Sequence, residues 1–530
     1  MGTLTQGSLI TSLQNSNLVG SNQKHLTCAL SLPIFRPSQN PLKFGSGFSS
    51  QVVKCIKTSS NSGPRNQFLE PLVAPAIDTA NLEVTVRSAS MVVPMEECVR
   101  KSMFLSNIDQ AVNIYMGGIL FFSANPNFPP EVIIKKLEVA YRRVLVHYDF
   151  LAGRLRWNPQ QGRLEIDCNS AGAGFVNASS KLSLDEIGDL VCPNPAFEQL
   201  VTRKWDNFWP KDQPLFILQV TSFKCGGIAL GIILNHTTLD GIGLQIFFQH
   251  LASLASNNLE LPFPPFNNRH LLQARSPPRV TQTHHELVNL GQNTSRGYDT
   301  STPSLFISKS DNLQRQIIRL SAEDITNLKT KAMELGNNTN TYKFSSGLIT
   351  SFNVVTAHIW KCMALARYNG DQDKEKASVI LFSINLRARL RPRLPASYIG
   401  NAIVSGYGMA TYNEVEEKPF SYLVERVAEG SRRVNDEYVR SVIDWRELHN
   451  GYVHGDILLS SWWRLGFNSV EFPWGKPNSS CPLVHQWSNI VILLQDIKDE
   501  VRNKGVNVFV SLPPKELEKF QTLFYKFLLS

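Results

Sequence analysis

One short segment constrains the possible fold of this chain more than any other. Residues 228–234 read Ile-Ala-Leu-Gly-Ile-Ile-Leu, an apolar run that predicts a buried strand. Residues 235–241 read Asn-His-Thr-Thr-Leu-Asp-Gly, and a helix is predicted from about Ile242 to Ala255. A strand, a loop and a helix in this order indicate an α/β layer and display His236 at the junction between them.

His236 and Asp240 are the candidate chemical groups of this loop. A histidine can act as a general base at neutral pH, and an aspartate four residues later could orient it. Of the 11 histidines in the chain, only His236 has an Asp at the fourth position after it. Such a pair can arise by chance, and a lone histidine is more often structural, so the interpretation depends on the surrounding motifs.

Length and charge place limits on the class of protein. A chain of 530 residues is long enough for more than one domain. The formal net charge is +9, but residues 1–69 carry six basic residues and no acidic one, so six of these charges lie there. The remainder is close to neutral, which argues against a nucleic-acid-binding protein. No apolar run approaches the roughly 18–20 residues of a membrane span.

Residues 1–69 have the composition of a targeting segment. They are rich in Ser and free of acidic residues, and Lys outnumbers Arg, which favours a plastid transit peptide over a mitochondrial one. The alternative is a disordered extension of a cytosolic protein. The 8 cysteines show no CxxC or Cys/His spacing, so a zinc module or a disulfide scaffold is not expected.

The order of predicted elements indicates two α/β domains of similar size. We place an N-terminal domain at 80–265, a Pro-rich crossover at 266–304 and a C-terminal domain at 305–530. Gly226-Gly227 predicts a hairpin between two apolar strands. In the second half, one continuous helix is predicted over Ser421–Ser441.

Seven short segments of the sequence together resemble the motifs of one protein family. Residues 236–241 resemble its HXXXD-G motif and residues 471–477 its DFGWGKP motif. Matching segments also occur in the family's order: the LSxLDQ-like Leu105–Gln110, the LAGRL turn Leu151–Leu155, the RxRL-like Asn385–Leu390, the YxGN-like Tyr398–Ala402 and the pair Ser461-Trp462. With these seven segments the sequence resembles the plant BAHD acyltransferases.

The resemblance implies a fold and a reaction class. The expected fold is α/β, with two similar-sized mixed-sheet domains like those of chloramphenicol acetyltransferase and a tunnel between them. A coenzyme A thioester would enter the tunnel from one face and an alcohol or amine acceptor from the other. The family implies a monomer without metal or permanently bound cofactor. The alternative is a family member that has lost catalysis and acts as a regulatory or binding protein.

The resemblance also assigns roles to the candidate residues. His236 would be the general base of direct acyl transfer, without a covalent enzyme intermediate. Asp240 would support the site structurally by pairing with Arg387 or Arg389, although the orienting role stays open. Trp462 would line the tunnel and could donate to the developing oxyanion. Coenzyme A contacts are assigned to three residues, Lys343, Ser345 and Ser346.

Two positions depart from the second motif. Glu471 replaces the family's Asp and Pro473 replaces its Gly, so the loop must use a backbone that both residues tolerate. The arginines at 387–393 are interpreted as structural ion-pairing residues, with Glu471 as one expected partner. Family members that use shikimate or quinate carry an Arg some two dozen residues before this motif. Here Glu447 lies nearest that position and Arg446 is one residue away, which weakens the case for a carboxylate-bearing acceptor without closing it.

Overall fold

The computed structural model describes residues 81–529, apart from 207, 210–211, 292–311, 338–348, 369, 371–373, 485–486 and 497–504. Its strands, in chain order, are β1 (Val84–Val92), β2 (Lys101–Phe104), β3 (Tyr115–Phe122), β4 (Arg154–Asn158), β5 (Arg163–Cys168), β6 (Ala173–Ser180), β7 (Phe216–Ser222), β8 (Ile228–Asn235), β9 (Leu287–Asn289), β10 (Gln314–Leu320), β11 (Ala377–Asn385), β12 (Ile403–Thr411), β13 (Gly451–Val453), β14 (Ile457–Ser461), β15 (Ser479–Pro482), β16 (Ile490–Gln495) and β17 (Val506–Leu512). Its helices are α1 (Asn107–Gln110), α2 (Pro130–His147), α3 (Gly241–Ala255), α4 (Ala322–Asn337), α5 (Ser351–Arg367), α6 (Tyr412–Glu417), α7 (Phe420–Arg433), α8 (Asp436–Leu448) and α9 (Pro514–Leu529). The predicted leader, residues 1–69, lies outside the described residues.

Two six-stranded mixed sheets form the framework. The first has the order β1-β6-β7-β8-β3-β15 and the second the order β10-β17-β16-β14-β11-β12. In the first sheet β6 and β7 are parallel and their neighbours antiparallel, and in the second sheet β14 is parallel to both β11 and β16. The predicted α/β class with two mixed-sheet domains is confirmed.

The hairpin that leads to His236 forms where the sequence predicts it. β7 and β8 pair as antiparallel neighbours, and Gly226 in the turn adopts a φ of +84°, which glycine takes without steric cost. All eight residues of β8 are buried. Burial on both faces explains why this strand reads as an uninterrupted apolar run instead of alternating with polar residues.

Two helices cover the face of the first sheet from which the candidate loop emerges. The spacing of the apolar residues in α2 predicts one buried face that includes Val132, but Val132 is 38% exposed. The other six predicted residues are buried, namely Ile133, Leu137, Ala140, Tyr141, Val144 and Leu145. Together with α3 they pack on alternate residues of β8, namely Ile228, Leu230, Ile232 and Leu234. Each fully buried Leu or Ile contributes about 1.5–3 kcal/mol to folding, so this layer anchors the loop firmly.

Late residues of the chain complete the first sheet. Residues 479–482 form β15, which pairs antiparallel with β3 as the sixth strand. The division of the chain at 266–304 therefore separates the two sheets only in part, because the C-terminal half also contributes an edge strand to the N-terminal sheet. The second motif, residues 471–477, lies just before β15. The pairing of β15 with β3 therefore brings this motif to the first sheet.

The continuous helix predicted over 421–441 is wrong. The structure has two helices, α7 ending at Arg433 and α8 beginning at Asp436. Asn435 is the N-cap of α8, and its side chain accepts a hydrogen bond from the Tyr438 backbone N–H at 3.0 Å. Asparagine at this position favours a helix start over a helix interior. Within the described ranges, no helix is long and apolar enough to cross a bilayer.

Candidate active site

The loop after β8 is built by its own polar side chains. Asn235 Oδ1 accepts from the Thr237 backbone N–H at 3.1 Å and from the Thr237 hydroxyl at 2.8 Å. The Thr238 hydroxyl donates to the Asn235 carbonyl at 2.7 Å. The His236 backbone N–H donates to the Ile114 carbonyl at 2.8 Å, extending the pairing of β8 with β3 by one residue. These bonds fix the backbone that presents the half-buried imidazole.

Asn401 sets the tautomer of His236. Its Nδ2 donates to Asp109 Oδ1 at 2.9 Å and to the His236 carbonyl at 2.8 Å. Both acceptors require the amide nitrogen, so the amide oxygen must be the atom that faces His236 Nδ1, 3.1 Å away. An amide oxygen only accepts, so the network assigns the proton to Nδ1 and leaves the Nε2 lone pair free. Nε2 is therefore the basic nitrogen.

Asp240 begins α3 and forms a buried ion pair. Its Oδ1 accepts from the Gly243 backbone N–H at 2.8 Å, which makes it the helix N-cap. Arg387 binds both carboxylate oxygens, each at 2.9 Å, and the Ala402 backbone N–H donates to Oδ2 at 3.0 Å. These bonds use both oxygens of Asp240, whereas the neighbour of the His236 ring is Asn401.

Of the two arginines considered for Asp240, Arg387 is the partner. Arg389 donates instead to the carbonyls of Ser431, at 2.6 Å, and Val434, at 2.8 Å, where α7 ends. The expectation that this arginine run would pair with Glu471 is wrong. Glu471 is 73% exposed and lies 3.6 Å from Lys476 of its own loop.

A second buried ion pair lies on the other side of the His236 loop. Arg269 pairs with Asp109, and both side chains are at most 1% exposed. Arg269 also donates to the carbonyls of Thr237 and Thr238. Sequence reasoning missed Arg269, because it lies in the segment predicted as a crossover without periodicity. It identified Asp109 only as part of a motif and gave it no task.

Trp462 follows β14 and contacts both sheets' cores. Its ring packs against Gly118 of β3, where an added Cβ would lie 3.3 Å from the indole. It also meets the Phe467 ring at a centroid distance of 5.1 Å. Its backbone N–H donates to the Leu493 carbonyl at 2.8 Å. This placement puts the ring between the two sheets. Oxyanion donation by the indole stays a prediction.

The second motif is a tight turn on the first sheet. The backbones of Phe472 and Gly475 exchange hydrogen bonds of 3.1 and 2.9 Å, so Pro473 is the second residue of a four-residue turn. Proline is favoured there, and its missing N–H costs nothing. Phe472 and Trp474 are buried and stack on each other at 5.0 Å, with the Phe122 ring edge-on to both. The loop thus accommodates the departure at Pro473.

The structure describes only some of the other residues that the sequence analysis singled out. The three assigned coenzyme A contacts, Lys343, Ser345 and Ser346, lie outside the described residues. Glu447 lies on α8, where its Oε2 accepts from Asn107 Nδ2 at 2.7 Å and lies 3.9 Å from Arg163 Nη1. In the described ranges, no group of three or more His, Cys, Asp or Glu side chains could hold a metal ion.

Comparison with known proteins gives consistent matches across this region. The model of the Transferase family matches residues 82–527. The chain is 47% identical to Acyltransferase GLAUCE of Arabidopsis thaliana over 455 residues, which cover 85% of this chain and 97% of that protein. It is 32% identical to Omega-hydroxypalmitate O-feruloyl transferase of the same plant over 447 residues, covering 84% of this chain and 93% of that protein.

Solved structures show the same fold at lower identity. Vinorine synthase aligns with a TM-score of 0.61 and 20% identity, covering 82% of this chain and 96% of that structure. F. sporotrichioides TRI101, complexed with Coenzyme A and T-2, aligns with a TM-score of 0.59 and 17% identity, covering 79% of this chain and 97% of that structure.

Proposed function

This chain belongs to the Transferase family of BAHD acyltransferases, and from that premise we propose that it moves an acyl group from a coenzyme A thioester to a hydroxyl or amine of a plant metabolite. The observation that carries the proposal is the hydrogen bond between His236 Nδ1 and Asn401, which leaves Nε2 as a base. A free imidazole nitrogen on a half-buried strand-end loop is suited to removing a proton from an acceptor.

The proposed mechanism has one proton carrier. His236 Nε2 removes the acceptor proton while the acceptor oxygen or nitrogen attacks the thioester carbonyl. The tetrahedral intermediate then collapses, the C–S bond breaks, and the imidazolium returns the proton to the leaving thiolate. No covalent enzyme intermediate is required because the thioester is already reactive. Burial raises the pKa of Cys168 and of Cys192 to about 12, which disfavours a thiolate nucleophile at either position.

We propose an acceptor that carries no carboxylate next to the reacting group. The support is that Glu447, nearest the position of the family's arginine, presents a carboxylate held by Asn107 and lying 3.9 Å from Arg163, where that arginine would offer a cation. The related Omega-hydroxypalmitate O-feruloyl transferase is named for a hydroxylated fatty acid and a feruloyl group. A feruloyl thioester with a long-chain aliphatic alcohol is therefore the first substrate pair to test.

The test is a mass-spectrometric screen of purified protein lacking residues 1–69. A panel of acyl-CoA donors is combined with aliphatic, aromatic and carboxylate-bearing acceptors. Replacing His236→Ala should lower turnover by about 10²–10⁴-fold, while the exposed His454→Ala serves as the matched control. Turnover in His236→Ala equal to that of the wild type would refute the mechanism. Coenzyme A binding without product from any pair would favour the non-catalytic alternative.

We also propose that residues 1–69 direct the protein to plastids and that the mature protein acts as a monomer. The support for targeting is compositional, since the segment is rich in Ser, basic and free of acids. A full-length fluorescent fusion should enter plastids, and a fusion lacking residues 1–69 should stay in the cytosol. A full-length fusion that remains in the cytosol would support the alternative extension. Light scattering on the shortened protein tests the monomer.

A further inference from the structure

Two buried aspartates flank the loop that carries His236, and their contacts differ. The carboxylate oxygens of Asp240 accept hydrogen bonds from Arg387, from the Gly243 backbone N–H in the first turn of α3 and from the Ala402 backbone N–H. Asp109 Oδ1 instead accepts from the Asn401 side chain at 2.9 Å and from its backbone N–H at 3.2 Å. Only Asp109 therefore bonds to the amide that contacts the imidazole.

We infer that Asp109 is the acidic positioning residue of His236 and that it acts through Asn401. The inference rests on the proposed role of His236 as general base. The hydrogen bonds run from His236 Nδ1–H to Asn401 Oδ1 and from Asn401 Nδ2–H to the Asp109 carboxylate. The arrangement resembles a histidine–aspartate contact with one amide inserted between the two groups.

The inserted amide transmits charge as well as geometry. A carboxylate that accepts from an amide N–H₂ increases the negative charge on the amide oxygen, and hydrogen bonds in a chain strengthen one another. The amide oxygen then stabilises the imidazolium that forms when Nε2 takes the acceptor proton. Asp109 is fully buried, so little solvent screens this effect.

The carboxylate of Asp109 is held rigidly in place. Its Oδ2 accepts from the Ser106 backbone N–H at 2.9 Å and from the Ser106 hydroxyl at 2.7 Å, closing a capping box at the start of α1. Arg269 binds Oδ1 and also the loop carbonyls of Thr237 and Thr238. One ion pair thus fixes both the carboxylate and the loop that carries the imidazole.

Other charged or titratable groups face this network, and any pH experiment must take them into account. They are the ion pair of Asp109 with Arg269, the ion pair of Asp240 with Arg387, and the buried hydroxyl of Tyr398. Burial raises the pKa of Tyr398, and Asp109 adds to the rise while Arg269 opposes it. Tyr398 therefore stays neutral in the range in which a histidine titrates.

The first experiment compares Asp109→Asn with Asp444→Asn. Asp444 is a similarly buried aspartate that accepts from Arg275 and from the Arg279 backbone N–H, so its replacement matches the loss of a buried charge outside the hydrogen bonds that join His236, Asn401 and Asp109. In Asp109→Asn we expect kcat to fall by about 10- to 100-fold, less than the roughly 10⁴-fold loss when a directly bonded aspartate is replaced. The acid limb of the kcat/KM profile should move down by about 0.5–1 pH unit, because the imidazolium loses a stabilising charge.

The remaining variants separate positioning from loss of fold. Asp109→Asn combined with Arg269→Gln leaves no lone buried charge, so we expect it to fold even where the single variant does not. Asn401→Ala removes the amide that links His236 to Asp109 by hydrogen bonds. Adding Asp109→Asn to this variant should therefore cause no further loss of kcat. Asp444→Asn should lower the melting temperature without moving the pH profile.

A second readout does not depend on activity. In protein labelled with ¹⁵N-histidine, the His236 resonance is assigned by its absence in His236→Ala. Nδ1 should be protonated in the neutral wild type, and the titration midpoint should fall in Asp109→Asn but not in Asp444→Asn. An unchanged midpoint, or an unchanged kcat and pH profile, would overturn the inference. Inactive wild-type protein with the expected NMR shift would refute the proposed function and leave the positioning role standing.

Discussion

Two loops of this molecule carry its motifs, and different forces hold them. The loop at 236–241 depends on buried charge, since the side chains of Asp240 and Arg387 are 1% and 7% exposed. The loop at 471–477 depends on stacked rings and a turn. Its Glu471–Lys476 pair is 73% and 56% exposed.

The difference explains where the sequence departs from the family pattern. A buried ion pair leaves a stranded charge when one partner changes, so both partners must be kept or replaced together. An exposed pair is screened by solvent and contributes little. Both departures, Glu471 and Pro473, lie in the loop whose stability does not depend on a buried charge. The predictions below test this contrast, from the largest expected effect to the smallest.

The largest effect is expected for Asp240→Ala. Removing this carboxylate strands Arg387 and deletes the N-cap of α3, which should lower the free energy of unfolding by about 3–5 kcal/mol. Arg387→Ala should be similarly destabilising. The double variant should lose less than the sum of the two single variants, because no lone charge remains. The measurement is urea unfolding of all four proteins. A fully stable Asp240→Ala protein with crippled turnover would restore the role of Asp240 in orienting His236.

Much of the first loop could be predicted from the sequence because its signals are local. The apolar run of β8, the Gly226-Gly227 turn and the one-faced pattern of α2 each depend on neighbouring residues. The His236 motif adds a specific match. Local capping also carried a signal that periodicity alone missed, since Asn435 followed by two acidic residues indicates the start of α8.

Long-range pairs could not be predicted, because nothing in the local sequence specifies them. Arg269 is 160 positions from Asp109, and Asn401 is 165 positions from His236. Sequence could propose two arginines for Asp240 but could not choose between them, because the choice depends on where α7 ends. The pairing of β15 with the first sheet is also a tertiary contact between distant segments.

In the second loop, Gly475→Ala should have an intermediate effect. Gly475 adopts a φ of +123°, and no described atom lies within 4 Å of an added Cβ, so the cost is backbone strain alone. We expect a loss of about 1–3 kcal/mol in the free energy of unfolding. An Ala variant with an unchanged unfolding midpoint would show that the turn relaxes without penalty.

Pro473→Gly, which introduces the family's residue, should cost less. Proline at the second position of this turn reduces the number of conformations open to the unfolded chain, whereas glycine increases that number. We expect a loss of about 0.4–1 kcal/mol, measured by thermal unfolding, with turnover retained. A gain in stability would mean that Pro473 strains the turn, and the contrast between the two loops would then weaken.

Glu471 provides the smallest and most specific test. Its exposed carboxylate lies 3.6 Å from Lys476 and makes no buried contact among the described residues. Exchanging it for Gln removes the charge but keeps the length, and we expect a change of at most about 0.5 kcal/mol that disappears at high salt. Glu471→Asp, which introduces the family's residue, should be equally neutral. A large loss of turnover in Glu471→Gln, with stability unchanged, would mean that this loop recognises a substrate through its charge.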